Sequence, residues 1–558
     1  MTSATQLLTE PFLQLPTENS VRVVWFTEFA GSHHIVAYGE NFSQIVTATT
    51  TKLSRTREDQ NSKVEQVYQQ TTTRNIWRHE AEVTGLIPNI KVPYRVTSVR
   101  EDGQNISSNA FTLAPKPLPG IPLKILLTSD HQLKPMTAAN LQKVVETVGT
   151  VDAVFFAGDL VNVPDRASEW FDDVRGCAFF PCLQGRANYQ LTKNNIQTVY
   201  QGGELIQNAP IFTAIGNHEV MGRFSMDSCL DDQFDDTLPR AVAARILNSD
   251  VRNSQDSCLG EGDGWVKDYS FNTDTYEEIF SLPVSQEGGK KYYAVTFGDV
   301  RLVVLYVTNM WRTPGLAANA RGKYKESDRT LNNPQNWGYG QHIFEPIKQN
   351  STQYQWLETE LNSLEFQQAQ YKVVMLHHPP HTLGDNIVPA YTDPIQIIER
   401  DAQGEVKAVR YEYPKEQDYI IRDLVPLLEA SGVQLVLYGH SHLWNRFVSA
   451  NGTHYLETSN VGNSYGAALW EKQRPVPNGY QQEYTATGDP YGLDPILPAI
   501  APLFGCDGQP LPYIASNDIT VFSILDTETG IVSSYRFDTR NPDQEAVKFD
   551  EFPLRSQK

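Results

Sequence analysis

Hydrophobic and polar positions alternate with a period of two in the first part of the chain, up to about residue 115. The alternation is clear at Val21, Val23 and Trp25, and a later segment carries the turn signal Asp102-Gly103. Short alternating segments predict antiparallel strands with one apolar face. Because that face needs a second sheet to cover it, and about 100 residues is the usual size of an immunoglobulin-like domain, we predict a small β-sandwich.

A segment with four prolines and one glycine follows, APKPLPGIP at 114–122. Proline fixes the backbone and removes a hydrogen-bond donor, which favours a stiff, extended connector. The sequence therefore predicts two domains, over residues 1–117 and 122–558.

Beyond the connector, the pattern changes to near-continuous apolar runs, which suit strands covered on both faces. Leu141, Val144, Val145 and Val148 are spaced i, i+3, i+4 and i+7, and this spacing predicts a helix between two such strands. A further helix is predicted to run through Leu364, and another to kink at Pro426. Buried strands alternating with helices predict the α/β class, with α+β layers.

Five of the apolar runs end in polar residues that are able to bind metal ions or phosphate. The carboxyl ends of the strands in an open α/β sheet line one crevice, so residues far apart in sequence converge there. One site would explain all five groups: Asp130-His131-Gln132, Asp159, Asn217-His218-Glu219, His377-His378, and His440 with His442.

Carboxylate, amide and imidazole groups are ligands suited to Fe, Mn or Zn. Seven of them are too many for one ion but suit two ions about 3.5–4 Å apart, which can clamp the attacking and leaving oxygens of a displacement at phosphorus. We therefore expect two metal ions as cofactors, divalent or of mixed valence.

The charge balance bears on partners and compartment. Acidic residues number 66 against 46 Lys and Arg, a net charge of −20, which argues against nucleic acid as a dedicated partner. No apolar run reaches the roughly 18–20 residues that cross a bilayer, and the first residues lack the pattern of a signal peptide. We expect a soluble monomer or homodimer, with a periplasmic or secreted location favoured over the cytoplasm.

Cysteine allows two interpretations. Four of the five cysteines, Cys177, Cys182, Cys229 and Cys258, lie in one region between motifs. Two disulfides could pin long loops there in an oxidising compartment, or the thiols could be free and buried.

The ordered set Asp-x-His, Gly-Asp, Gly-Asn-His-Asp/Glu, Val-x-x-His and Gly-His-x-His is the motif pattern of the calcineurin-like metallophosphoesterase superfamily, which the chain resembles from about residue 122 onward. With its N-terminal sandwich, the whole chain is similar to the purple acid phosphatase branch. Leu86, Pro88 and Tyr94 resemble the tyrosine corner of fibronectin type III domains. The resemblance implies a metallophosphoesterase-type β-sandwich flanked by helices after a fibronectin type III-like domain.

The resemblance also implies residue roles. Asp159 would bridge the two ions, and His218, oriented by Glu219, would bind phosphate or protonate the leaving group. Apart from the resemblance, His378 is expected to line the pocket. His381 and Arg446 follow two of the motifs and could bind substrate, Arg446 because a guanidinium suits phosphate oxygens, or they could simply pack at the rim. The remaining ligands would be Asp130, Gln132 and His442 for the first ion, and Asn217, His377 and His440 for the second.

Two residues depart from the family pattern. Gln132 stands where the family usually has His, and Asn162 stands where purple enzymes have the Tyr that binds Fe(III). A neutral amide is a weaker ligand than imidazole, and without the tyrosinate no purple charge-transfer band is expected.

The activity implied is hydrolysis of a small-molecule phosphomonoester by a metal-bound hydroxide, as in acid phosphatases. Phosphodiesterase or nucleotide pyrophosphatase activity at the same site is an alternative. An alternative of another class is a non-catalytic binding protein that uses its N-terminal sandwich.

Overall fold

The computed structural model describes residues 6–253, 262–312, 324–334, 337–380, 390–464 and 513–554. None of the helices in these ranges combines the length and the apolar character that crossing a bilayer requires.

The N-terminal region folds into two antiparallel sheets, as predicted from the alternating pattern. Its strands are β1 (Phe12–Gln14), β2 (Ser20–Thr27), β3 (His33–Tyr38), β4 (Gln44–Thr47), β5 (Thr49–Lys52), β6 (Arg57–Glu58), β7 (Thr72–Thr73), β8 (Trp77–Thr84), β9 (Val92–Val99), β10 (Asn105–Ser107) and β11 (Phe111–Leu113). The two sheets of the sandwich have the orders β1-β2-β8-β5 and β10-β9-β3-β4, with β11 paired to β9, and β6 and β7 form a separate antiparallel pair. This all-β arrangement is compatible with a fibronectin type III-like domain.

Strand β2 is buried on both faces. Val21, Val23 and Trp25 point into the core of the sandwich. Val24 and Phe26, on the opposite face, belong to the main hydrophobic core of the following region. The expected alternation of buried and exposed positions is therefore absent in β2, because a second layer of protein covers its outer face.

Tyr94 does not form the local hydrogen bond of a tyrosine corner. Its buried hydroxyl donates to the carbonyl oxygen of Gln207 at 2.7 Å, across the boundary between the two regions. The tyrosine therefore joins the sandwich to the rest of the chain.

The segment between β5 and β8 reaches from the sandwich onto the second region. The Arg57 guanidinium pairs with Asp165 at 2.5 Å, and both side chains are 1% exposed. Glu58 accepts hydrogen bonds from the backbone N–H and hydroxyl of Ser168, and Asp59 accepts one from the N–H of Leu230. Buried charges of this kind persist in a fold only when they are paired.

The second region has nineteen strands among its described residues, namely β12 (Lys124–Thr128), β13 (Ala153–Phe156), β14 (Tyr189–Lys193), β15 (Ile196–Tyr200), β16 (Ile211–Thr213), β17 (Tyr293–Phe297), β18 (Val300–Val304), β19 (Thr308–Trp311), β20 (His342–Phe344), β21 (Tyr371–Met375), β22 (Ile395–Arg400), β23 (Val406–Glu412), β24 (Leu435–Tyr438), β25 (Trp444–Val448), β26 (His454–Thr458), β27 (Tyr513–Ile514), β28 (Ile519–Asp526), β29 (Ile531–Asp538) and β30 (Val547–Pro553). Its helices are α1 (Thr137–Val148), α2 (Ala167–Phe171), α3 (Phe179–Leu183), α4 (Leu230–Phe234), α5 (Arg240–Asn253), α6 (Gly262–Asp268), α7 (Asp274–Ile279), α8 (Thr352–Leu361), α9 (Leu364–Gln368) and α10 (Val425–Ala430).

Two large sheets form the centre of this region. One has the order β16-β13-β12-β28-β29-β30, with β16, β13 and β12 parallel. The other has the order β17-β18-β21-β24-β26-β25-β27, with β18, β21, β24 and β26 parallel. Leu127 of the first sheet and Val373 of the second share one core, while helices α8 and α10 pack on the second sheet through Leu357 and Leu428. The predicted layered α/β sandwich flanked by helices is confirmed.

Two helices differ in detail from their predicted form. The helix predicted to pass through Leu364 stops earlier, because the Ser363 hydroxyl caps a new helix by accepting the N–H of Phe366 at 3.1 Å. Leu364 is consequently 71% exposed. Near Pro426, a π-helical stretch at Ile420–Leu424 leads directly into α10, which has the proline in its first turn.

Candidate metal centre

The five polar motifs follow the carboxyl ends of five parallel strands, as the sequence predicts. Asp130, Asp159 and Asn217 follow β12, β13 and β16 of the first sheet, and His377 and His440 follow β21 and β24 of the second. The site therefore lies where the same ends of two facing sheets meet, and not along one open sheet.

Several of these residues adopt the left-handed backbone conformation, which costs energy for side chains other than glycine. The φ angles are 57° at Asp130, 39° at Gln132, 58° at Asp159, 79° at His440 and 55° at His442. Such clustering is typical of functional sites, where the surrounding fold holds side chains in a strained but useful position.

Two motif glycines are required by close packing of the loops. A Cβ atom at Gly216 would collide with the Asp159 carboxylate, and one at Gly439 would collide with the Asp130 carboxylate. The glycines therefore let the two central carboxylates approach the neighbouring loops.

The first group of side chains surrounds two carboxylates. Ligand atoms of Asp130, Asp159 and His377 lie within 4.8 Å of one another. His442 Nε2 is 3.4 Å from Asp130 Oδ1, and the Gln132 amide donates to Asp159 Oδ2 at 2.7 Å. The five residues form one buried cluster.

The second group is centred on imidazoles. His440 Nδ1 is 3.1 Å from Asn217 Oδ1, and ligand atoms of His377, His378 and His440 lie within 4.8 Å of one another. The ring of His378 stacks on that of His440 with centroids 3.7 Å apart. His377 belongs to both groups, so the clusters are continuous.

His377 is better oriented toward the carboxylates than is His378. The Nδ1 of His377 lies 2.8 Å from the carbonyl oxygen of Ala157, which can only accept, so Nδ1 carries the proton. Its Nε2 then faces Asp159 Oδ2 at 3.1 Å. His378 instead contacts the Thr308 hydroxyl through Nδ1 at 2.5 Å.

The electrostatics of the cluster favour bound cations. Burial would lower the pKa of His377, but the carboxylates of Asp159 and Asp130 outweigh it and raise the pKa to about 10. Burial would raise the pKa of Asp159, and the neighbouring His377 and His218 instead hold it well below its ordinary value. The protein thus concentrates negative charge where a cation would be stabilised.

His218 lies at the edge of this cluster. Its Nδ1 donates to the carbonyl oxygen of Asn162 at 2.6 Å, its Nε2 is 4.0 Å from Asp159 Oδ2, and its ring stacks on Phe234. Burial lowers its pKa to about 4 against the opposing effect of Asp159. The expectation that Glu219 orients His218 is wrong, because Asn162 and Phe234 do so.

Glu219 has a different role. Its carboxylate accepts the backbone N–H groups of Asp159 at 2.9 Å, Leu160 at 2.7 Å and Gly216 at 2.7 Å. One buried side chain therefore fastens the loop after β13 to the loop after β16.

The donor set fits two cations of the Fe, Mn or Zn type. It comprises two carboxylates, two amides and three imidazoles, and among the described residues the buried Gln132 Oε1 has no hydrogen-bond partner. A buried acceptor without a partner is costly, and a cation would satisfy it. This arrangement supports the inclusion of Gln132 in the ligand set.

Arg446 and His381 are the two remaining residues that the sequence predicts to bind substrate. Arg446 lies in β25 and is 3% exposed, and its guanidinium donates to Asp550 at 2.8 Å and 3.2 Å. The structure therefore assigns Arg446 to an internal ion pair, contrary to the interpretation of it as a phosphate ligand. His381 lies outside the described residues.

Sequence reasoning missed Arg312, for which no motif gave a signal. Its guanidinium donates to the carbonyl oxygens of Val220 and Phe234 and stacks 3.4 Å above the Phe234 ring. Because the Phe234 ring stacks on His218, Arg312 holds in place a side chain that orients His218. From the sequence, Asn162 is identified only as the residue that stands in place of a tyrosine, but its carbonyl oxygen holds His218.

The cysteines in the described ranges are not bridged. Cys177 and Cys182 are buried and free, and Cys229 is free and partly exposed. Burial raises the pKa of Cys177 to about 12, so this thiol stays protonated. The free-thiol interpretation therefore holds for these three residues.

This chain resembles known proteins in part of its sequence and in its fold. A family model, calcineurin-like phosphoesterase, matches residues 123–443, more than half of the 558 residues. The structure is similar to that of the purple acid phosphatase PPD1 from yellow lupin (Lupinus luteus) seeds, at a TM-score of 0.52 and 15% identity, over 97% of this chain and 73% of that one. A weaker likeness, at a TM-score of 0.31 and 9% identity, is to GAP50, the anchor in the inner membrane complex of Plasmodium, over 78% of this chain and 90% of that one.

Among curated proteins, none is significantly similar in sequence. Because the lupin protein is only 15% identical to this chain, its similarity is evidence for the fold and not for the function. The family match covers all five motifs up to His442 and coincides with the clustered carboxylates, amides and imidazoles. The chain belongs to the calcineurin-like phosphoesterase family and is a metal-dependent phosphoester hydrolase.

Proposed function

We propose that the protein is a binuclear phosphohydrolase that cleaves phosphomonoesters. The observation that carries this proposal is the convergence of seven ligand side chains at the same ends of two sheets. In this proposal, Asp159 would contribute to both ion sites. Asp130, Gln132 and His442 would hold the first ion, and Asn217, His377 and His440 would hold the second.

When bound, the two ions supply Lewis-acid polarisation of phosphoryl oxygens and lower the pKa of water. The residues of the chain position the substrate and exclude solvent. His378, which is buried against His440, is proposed to line the substrate pocket.

His218 is proposed as the general acid. The Asn162 carbonyl fixes one proton on Nδ1, so the second proton of the imidazolium is carried by Nε2, on the side of Asp159. A phosphate dianion nearby favours the imidazolium form. Nε2 can then protonate the departing oxygen.

Metal analysis combined with turnover tests the proposal. The purified protein should contain transition metal and hydrolyse p-nitrophenyl phosphate faster than bis(p-nitrophenyl) phosphate. Asp159→Asn should lose both ions and turnover, whereas Asp102→Asn, on an exposed turn, should keep them.

Faster turnover of the diester would support the phosphodiesterase alternative. Absence of bound metal together with absence of metal-restored turnover would overturn the proposal and favour the non-catalytic binding protein.

A further inference from the structure

A cleft of about 500 Å³ opens beside the metal centre. Gln132 and Asn162 line it, and both also belong to the site, Gln132 through Asp159 and Asn162 through His218. His218 Nε2, the proposed proton donor, faces Asp159 Oδ2, and the Gln132 amide at the mouth of the cleft contacts the same oxygen, so the cleft is placed to receive the leaving group.

Three cations line this cleft: Lys134, Arg175 and Lys193. Arg175 and Lys193 are paired with Asp173 and Asp518, each at 2.7 Å. Lys134 differs from them, because within the described residues its ammonium has no carboxylate partner and its nearest acceptor is Asn162 Oδ1 at 3.5 Å.

Lys134 is placed between the cleft and the reaction centre. It lines the cleft, and its ammonium reaches the Asn162 side chain, while the carbonyl oxygen of the same residue holds His218. A partly buried ammonium without a carboxylate partner is stabilised when an anion enters. Asn463, Asn517 and Tyr189 also line the cleft.

We propose that this cleft selects phosphate esters whose leaving group carries a second anionic group, which pairs with Lys134. The inference rests on the proposed function of the adjacent site. The second anion is a phosphoryl or a carboxylate group, and the two share the oxygen chemistry that an ammonium recognises.

Three aryl phosphates with leaving groups of matched pKa test this, one neutral, one bearing a carboxylate and one bearing a phosphonate. The metal-loaded protein should show kcat/KM at least about tenfold higher for one or both anionic esters than for the neutral ester. Which of the two is preferred identifies the second anion.

Lys134→Gln should abolish this preference while leaving turnover of the neutral ester within about twofold, and Lys134→Arg, which keeps the charge, should retain most of it. The matched control is Lys124→Gln, at the opposite, exposed end of β12, which should change nothing. Equal kcat/KM for the three esters, or a preference that survives Lys134→Gln, would overturn the inference.

A binding measurement separates this inference from the proposed function. Calorimetry should show that metal-loaded protein binds 1,3-propanediphosphonate about tenfold more tightly than propylphosphonate, and that Lys134→Gln removes the difference. If no ester is hydrolysed, the proposed function fails, and this binding difference alone decides whether the cleft binds a second anion. Equal affinities for the two phosphonates would reject binding of a second anion in the cleft.

Discussion

The Glu219 carboxylate lies 2.9 Å from the backbone nitrogen of Asp159 and also accepts the N–H groups of Leu160 and Gly216. Glu219→Ala would leave three buried donors without an acceptor and release the loop that carries the Asp159 carboxylate. We expect metal affinity to fall about 10–100-fold, the usual effect of losing a group that orients ligands. Chelator competition measures the affinity.

Glu219→Gln keeps one acceptor oxygen and should fall between wild type and Glu219→Ala. The control is Glu204→Gln, an exposed glutamate that should not affect metal binding. Unchanged affinity in Glu219→Ala would show that the loops hold their position without this side chain.

The His218→Ala variant should lose turnover while keeping its metal ions. The variant is expected to keep its ions, because His218 contacts Asn162 and Phe234 and lies 4.0 Å from the nearest Asp159 oxygen. Turnover should fall about 10²–10⁴-fold for alkyl phosphates, whose leaving oxygen needs a proton, and much less for p-nitrophenyl phosphate. An equal loss on both esters would contradict the acid role.

Gln132→Ala should weaken one of the two proposed metal sites selectively. The variant removes the buried amide beside Asp159 and leaves His377, Asn217 and His440 in place. Titration calorimetry should show one ion bound nearly as in wild type and the other at least about tenfold more weakly. Gln132→His should restore the second affinity, since imidazole is a stronger ligand than an amide, and two unchanged affinities would exclude Gln132 from the ligand set.

Arg57→Met should strongly destabilise the protein. Removing the guanidinium leaves the carboxylate of Asp165 buried, with the Thr275 hydroxyl still donating to it. The expected loss in free energy of unfolding is about 3–5 kcal/mol. Arg22→Met is the matched control, because Arg22 pairs with Glu80 while 37% exposed, and should cost at most about 1 kcal/mol. Denaturant titration of both variants checks the difference.

Acid should destabilise the sandwich through His79. Burial, reinforced by His34, lowers the pKa of His79 from 6.5 to about 3. Between these values the unfolded chain binds a proton that the folded chain does not, so the free energy of unfolding falls as pH falls, by up to about 1.4 kcal/mol per pH unit.

Calorimetry of the unfolding transition from about pH 7 to about pH 4 measures this slope. His79→Gln should show a shallower slope than wild type, and the exposed His33→Gln should match wild type. The same slope in all three proteins would assign acid sensitivity to other groups.

The convergence of the motif residues was predictable, because each short motif carries metal-binding residue types at the end of a predicted strand. Asp130 and His440 are 310 residues apart, yet the His440 N–H donates to the Asp130 carboxylate, as convergence at strand ends requires. The internal ion pair of Arg446 was not predictable, because its partner Asp550 lies 104 residues later in the chain and no motif surrounds it. The facing of two sheets likewise depends on long-range packing that a local pattern does not encode.

Because Arg57, Glu58 and Asp59 are embedded in the catalytic region, the two halves of this molecule are not interchangeable modules. A catalytic region produced without the sandwich would leave the buried Asp165 carboxylate without Arg57 and would expose Phe171 and Phe180, which pack on Phe26. An unrelated sandwich would lack the same partners, so we expect the two regions to be inherited together.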